Sequence, residues 1–163
     1  MRVGCVALSA LALTGWASQG LAAGLGSLHD MVILKGRCAQ FQAMGYNMTP
    51  VCEPHMVNEN YRTGRSGFTF VFNHGSVLTF TGMGSRQVKT SADSVVQPID
   101  GIIMTSGRGP KTSSYPAVGQ CAFTNPYKGV AQVRCSATTD AGPYVALFVT
   151  DGNAPETKVF RSH

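Results

Sequence analysis

Beyond its first 23 residues the chain has no apolar stretch approaching the ~20 residues that a membrane-spanning helix needs. It is short of charge, with only 13% Asp, Glu, Lys and Arg. It has no low-complexity linker and no long helical periodicity after Gly36. With abundant glycine, these features point to a compact loop-and-strand protein instead of a disordered one. Catalytic signatures are missing too. No C-x-x-C is present, which removes the usual thiol redox motif. Gly64-Arg65-Ser66-Gly67 is one residue short of a nucleophile elbow, and no helix pattern follows it. Gly82-Met83-Gly84 and Gly107-Arg108-Gly109 lack the third glycine of a dinucleotide fingerprint, since Gln87 and Thr112 stand there. The histidines, His29, His55, His74 and His163, are too dispersed to make a local metal pair. The expectation is no catalytic residue, no metal and no cofactor.

The N-terminus has the three parts of an export leader. Arg2 supplies the positive charge, Val3 to Leu13 is apolar, and small residues follow to Leu21-Ala22-Ala23. Cleavage after Ala22 or Ala23 leaves residues 24–163 as a single domain in the periplasm or outside the cell. Cys5 falls within the leader, ahead of the place where a lipidated cysteine would stand.

Four cysteines remain, as two pairs of equal spacing: Cys38 with Cys52, and Cys121 with Cys135. An exported chain and thirteen intervening residues favour disulfides over zinc. Folding the chain about Pro126-Tyr127-Lys128-Gly129 sets Cys121 opposite Cys135 and Phe123 opposite Val133. Folding about Gly45 sets Cys38 opposite Cys52 and Phe41 opposite Thr49. The expected bonds are therefore Cys38–Cys52 and Cys121–Cys135, each closing a loop of about 15 residues. Equal spacing also raises an internal duplication, because a glycine and an apolar strand follow each pair: Gly67 to Phe72, and Gly142 to Val149.

Elsewhere the apolar pattern is of strand type. Phe68, Phe70 and Phe72 alternate with Thr69 and Val71; Asn73-His74-Gly75 intervenes, and Ser76 to Phe80 returns as a hairpin. Pro143 to Thr150 is apolar on both faces and reads as a central, doubly covered strand. Asp151-Gly152-Asn153 turns the chain toward a last strand, Thr157 to Phe160. Pro98 marks an edge, bulge or break between Val95 and Thr105. Ser27 to Gly36 fits a helical turn or a strand, and Gly36 would close either. The fold expected is all-β: an antiparallel sandwich or partly closed barrel of about 7–9 strands with two hairpin disulfides.

Charge supplies the remaining signal. Arg62, Arg65, Arg86, Lys89, Arg108 and Lys111 lie between Asn60 and Lys111, opposed there only by Asp93 and Asp100. They form three pairs with three-residue spacing. If these segments gather at one end of a meander, they make a cationic rim for an anionic envelope component or an acidic protein surface. Nucleic acid is disfavoured by export and by the few aromatics beside the cations. The leading functional expectation is a non-enzymatic, exported binding module. A second is an inhibitor of a secreted lysozyme or protease, using the loop from Gly107 to Tyr115. A third is a small hydrolase built on Asp100 or Glu53 with a histidine. Asn47-Met48-Thr49 is a glycosylation sequon, meaningful in a eukaryotic source.

Overall fold

The structure, a computed structural model, describes residues 25–109 and 111–161. The leader and His163 lie outside them. In chain order the strands are β1 (Leu28–Ala43), β2 (Tyr46–Asn47), β3 (Cys52–Tyr61), β4 (Arg65–Phe72), β5 (Ser76–Met83), β6 (Val88–Lys89), β7 (Ser94–Thr105), β8 (Thr112–Thr124), β9 (Gln132–Thr139), β10 (Gly142–Thr150) and β11 (Glu156–Val159). Eight of them form an antiparallel meander in the order β1-β3-β4-β5-β7-β8-β9-β10, and β10 pairs back onto β1. The fold is thus a closed barrel. β1 makes the closure by using both edges. Leu28 to Lys35 pairs with β3 on one side, and Gly36 to Ala43 pairs with Thr150 to Tyr144 of β10 on the other. β11 continues along that second edge, from Ile33–Glu156 to Asp30–Val159.

Closure explains why Ser27 to Gly36 is strand and why Gly36 does not end it. The β10 backbone presses against β1 at this point, and a Cβ on Gly36 would lie 2.1 Å from the Val149 carbonyl oxygen. Gly82 and Gly119 are equally tight, 2.1 Å from the carbonyl oxygens of Pro98 and Ser136. These three glycines on β1, β5 and β8 let neighbouring backbones approach closely. Between β1 and β2 the two-residue turn Met44-Gly45 has positive φ at both positions, 51° and 85°. That is the mirror-image turn which suits hairpin twist.

Aromatic side chains fill the interior. Phe70 stacks on Phe41 at 5.5 Å and meets Phe80 edge-on at 5.8 Å, while Phe68 packs on Phe123 at 5.2 Å. Met56, Leu78, Ile102, Tyr144 and Phe148 are fully buried around them. Each such side chain contributes about 2–3 kcal/mol by leaving water. β10 is not doubly covered. Its inward residues Tyr144, Ala146 and Phe148 are buried, whereas Val145, Leu147 and Val149 are half-exposed on the outer wall. The two apolar faces reflect a barrel wall whose outer residues shelter only among their neighbours.

Both disulfides are those expected. Cys121 faces Cys135 across β8 and β9, fully buried, and Phe123 faces Val133. Cys38 joins Cys52 across β1 and β3 and is half-buried. Phe41 meets Thr49 as expected, its N–H donating to the Thr49 hydroxyl at 2.8 Å. The bonds link the first with the second barrel strand, and the sixth with the seventh. A duplicated half-barrel would place them four strands apart; they lie five apart, in strands running opposite ways. The topology therefore gives the equal spacing no support as a repeat.

Candidate functional site at the base of the barrel

Connections alternate between two ends. The start of β1 and the β3–β4, β5–β7, β8–β9 and β10–β11 connections share one end, here called the base. The β1–β3, β4–β5, β7–β8 and β9–β10 connections share the other, the crown. The six cations divide between them. Arg62, Arg65, Arg86 and Lys89 belong to the base; Arg108 and Lys111 belong to the crown.

The four basal cations are not equivalent. Arg65 opens β4 and forms an ion pair with Asp100, with Thr81 also within 3.4 Å. Asp100 sits at a bulge between Ile99 and Gly101 in an otherwise continuous β7. The bulge, next to Pro98, turns this carboxylate outward, and β7 runs on through Gly101. Arg62 is held by the Phe160 carbonyl, to which its guanidinium donates. Arg86 and Lys89 have no ion-pair partner among the described residues.

A buried polar cluster positions the connection that carries Arg86 and Lys89. Gln97 points inward from β7 with no exposure. Its Oε1 accepts from Ser66 Oγ and from Gln87 Nε2, both at 2.7 Å. Ser66 faces Gly82 across β4 and β5. Gly82 carries no side chain, so Ser66 and Gln97 meet across it. Gln87 thereby ties the β5–β7 connection into the barrel mouth. On the other side Asn60 donates to Asp30 at 2.8 Å, and His29 Nδ1 lies 2.6 Å from the same carboxylate. Lys128 reaches Asp93 at 2.7 Å, and this hydrogen bond holds Asp93 below the usual carboxylate range. Tyr127 touches Thr157 of β11, hydroxyl to hydroxyl, at 3.1 Å.

The base also carries what sequence reading missed, a set of exposed apolar side chains. Val88, Tyr127, Val130, Val159 and Phe160 all stand at this end, five of the eight large apolar residues exposed in the described chain. Tyr127-Lys128 in its proline-glycine turn was the one local hint.

Catalytic geometry is sparse. Asp100 on β7 and Glu53 on β3 are three strands apart in the wall. His55 lies 3.9 Å from Glu53, while His29 is at the base and His74 at the crown. No group of three or more His, Cys, Asp or Glu among the described residues could hold a metal ion. On the outer wall Glu59 accepts from Tyr61 at 2.9 Å and from Thr69 at 3.1 Å. Burial, then the Glu59 charge, pushes the Tyr61 phenol well up. This chain of bonds ties β3 to β4. A groove of about 250 Å³ lies where β11 leaves β10, lined by Ile33, Lys35, Asp151, Asn153, Ala154 and Glu156. Its Asp151 carboxylate accepts from the Asn153 backbone and side chain, which lowers its pKa and uses it in its own turn. At the crown, the loop considered for inhibition is short, because Thr112 to Tyr115 already belong to β8. Gly107 is seated on the His74-Gly75-Ser76 turn. Asn47 is exposed, and its side chain accepts from Thr49 N at 3.0 Å. No described helix is long and apolar enough to cross a membrane. Compared with known proteins, the chain matches no family model, no curated protein and no solved structure.

Proposed function

We propose that this chain is an exported, non-enzymatic binding module that holds an anionic envelope or protein partner against the base of its barrel. One observation carries the reading: among the described residues, Arg86 and Lys89 project without ion-pair partners from the same end that gathers most of the exposed large apolar side chains. A surface that combines unspent cations with apolar contact area is suited to recognition. Export is supported by the leader pattern, with which two disulfides, compatible with an oxidising compartment, agree. Arg65 drops out of the expected contact set because Asp100 occupies it, leaving Arg62, Arg86 and Lys89 as the basal contacts.

The test separates the two ends. Arg62→Glu, Arg86→Glu and Lys89→Glu together are expected to weaken binding to an anionic resin or polyphosphate at least tenfold at 0.15 M salt. Arg108→Glu with Lys111→Glu is expected to change it less than threefold. Both variants alter exposed side chains and keep the wild-type melting curve to within about 0.5 kcal/mol. The reverse ranking would assign recognition to the crown and refute the reading.

A further inference from the structure

We infer that the partner of the base is an anionic lipid surface, on which the barrel stands end-on; this rests on the binding reading above and names its partner class. Apolar and basic side chains alternate along the segments of the base. Val88 lies between Arg86 and Lys89, Phe160 precedes Arg161, and Tyr127 precedes Lys128, whose charge is shared with Asp93. Each apolar tip is well exposed: Val88 59%, Tyr127 61% and Phe160 38%. The three tips come from three different segments, each with a cation beside it in sequence. A protein interface concentrates its apolar anchors in a central, dehydrated cluster. A bilayer interface instead rewards short apolar insertions, each beside a cation that remains at head-group level. Tyrosine suits that depth, with an apolar ring below and a hydroxyl in the wet layer.

The Tyr127 and Phe160 segments are also held in place by hydrogen bonds and an ion pair. Asn125 N donates to the Asp93 carbonyl at 2.9 Å, Lys128 pairs with the Asp93 side chain, and Tyr127 contacts Thr157. Phe160 N donates to the His29 carbonyl at 2.8 Å, and Arg62 holds the Phe160 carbonyl. The Tyr127 and Phe160 tips are thereby linked to β1 and β11 and to residues that flank β3 and β7. A soluble polyanion would satisfy the cations and leave the tips in water. A lipid surface uses both.

The experiment uses the disulfide-bonded protein expressed from the full chain, and one variant, Val88→Ser with Tyr127→Ser and Phe160→Ser. Co-sedimentation is measured with phosphatidylglycerol vesicles, with phosphatidylcholine vesicles and, by filter binding, with polyphosphate. The wild type is expected to partition onto phosphatidylglycerol at least tenfold better than onto phosphatidylcholine. The triple serine variant is expected to lose at least tenfold on phosphatidylglycerol and to bind polyphosphate as the wild type does. If that variant keeps its vesicle binding, or the wild type binds polyphosphate but no vesicle, the lipid inference falls and the anion-binding reading stands. If the wild type binds neither, both fall. Selective capture of an acidic protein in the absence of vesicle binding also overturns the lipid assignment.

Discussion

Replacing Gly36 by valine is expected to abolish the stable fold, or to cost more than about 3 kcal/mol where folding persists. The new Cβ would lie 2.1 Å from the Val149 carbonyl oxygen and 2.7 Å from Thr150 Cα. Both are backbone atoms, so no rotamer change relieves the overlap. Only separation of β1 from β10 does, and that ladder closes the barrel. Alanine at the same place should cost nearly as much, because the clash is already made by Cβ. Two other glycines give the scale. Gly109 has open space around it, and Gly109→Ala should change stability by less than about 0.5 kcal/mol. Gly45 is also unobstructed but has φ +85°, so Gly45→Ala should cost about 1 kcal/mol through the turn alone. Denaturant midpoints for the set provide the check. A Gly36→Ala protein as stable as Gly109→Ala would mean that β1 and β10 do not meet as described.

The second large effect concerns the disulfides. Their loops are of equal length, each with a sequence separation of 14, so chain entropy gives each about 3 kcal/mol. They differ in surroundings. Cys121 and Cys135 are fully buried beside Gln97, whereas Cys38 and Cys52 are half-buried at the crown side of β1 and β3. Cys121→Ala with Cys135→Ala leaves interior volume unfilled as well as removing the link, and is expected to cost about 4–5 kcal/mol. Cys38→Ala with Cys52→Ala should stay near about 3 kcal/mol. Under native conditions a thiol reductant should open Cys38–Cys52 first, since reaching Cys121–Cys135 requires local opening of the wall. Urea unfolding of the two double variants, with peptide mapping of a partial reduction, tests both statements. Equal costs together with equal reduction rates would contradict the burial difference.

Much of the fold is written locally and was readable. The Phe68–Phe72 and Ser76–Phe80 hairpin, the turn at Lys128 and both disulfides depend on residues less than about twenty positions apart, where alternation and turn chemistry decide register. Barrel closure is different. It joins Gly36–Ala43 to Tyr144–Thr150, more than a hundred residues on, and no local pattern reports it. Gly36 shows the consequence, since its glycine reads as a stop until the second strand is seen lying against it. The pairing of Asp100 is hidden for a related reason. A bulge after Pro98 keeps β7 in the sheet and hands the carboxylate to Arg65, which lies 35 residues away.

The split of the six cations follows from strand parity. In an antiparallel meander successive connections alternate between ends, so the second and fourth connections share the base and the fifth falls at the crown. Assigning Arg62, Arg86 and Arg108 to ends therefore requires an accurate count of barrel strands. The short pairings of β2 and β6, off the main path, obscure that count in the sequence. Exposure of Val88 and Val130 is equally hidden, because an isolated valine in a connection between barrel strands has the same local pattern whether or not something covers it. Gln97 is the reverse case: a polar residue that alternation places inside, where Ser66 and Gln87 satisfy its carbonyl.

The central claim is that the base meets the partner. Hydrogen exchange in the presence and absence of saturating phosphatidylglycerol vesicles tests it most directly. The account predicts slowed exchange in peptides covering residues 84–90, 125–131 and 157–161, with 43–51 and 105–112 unchanged. Protection confined to the crown segments would contradict it.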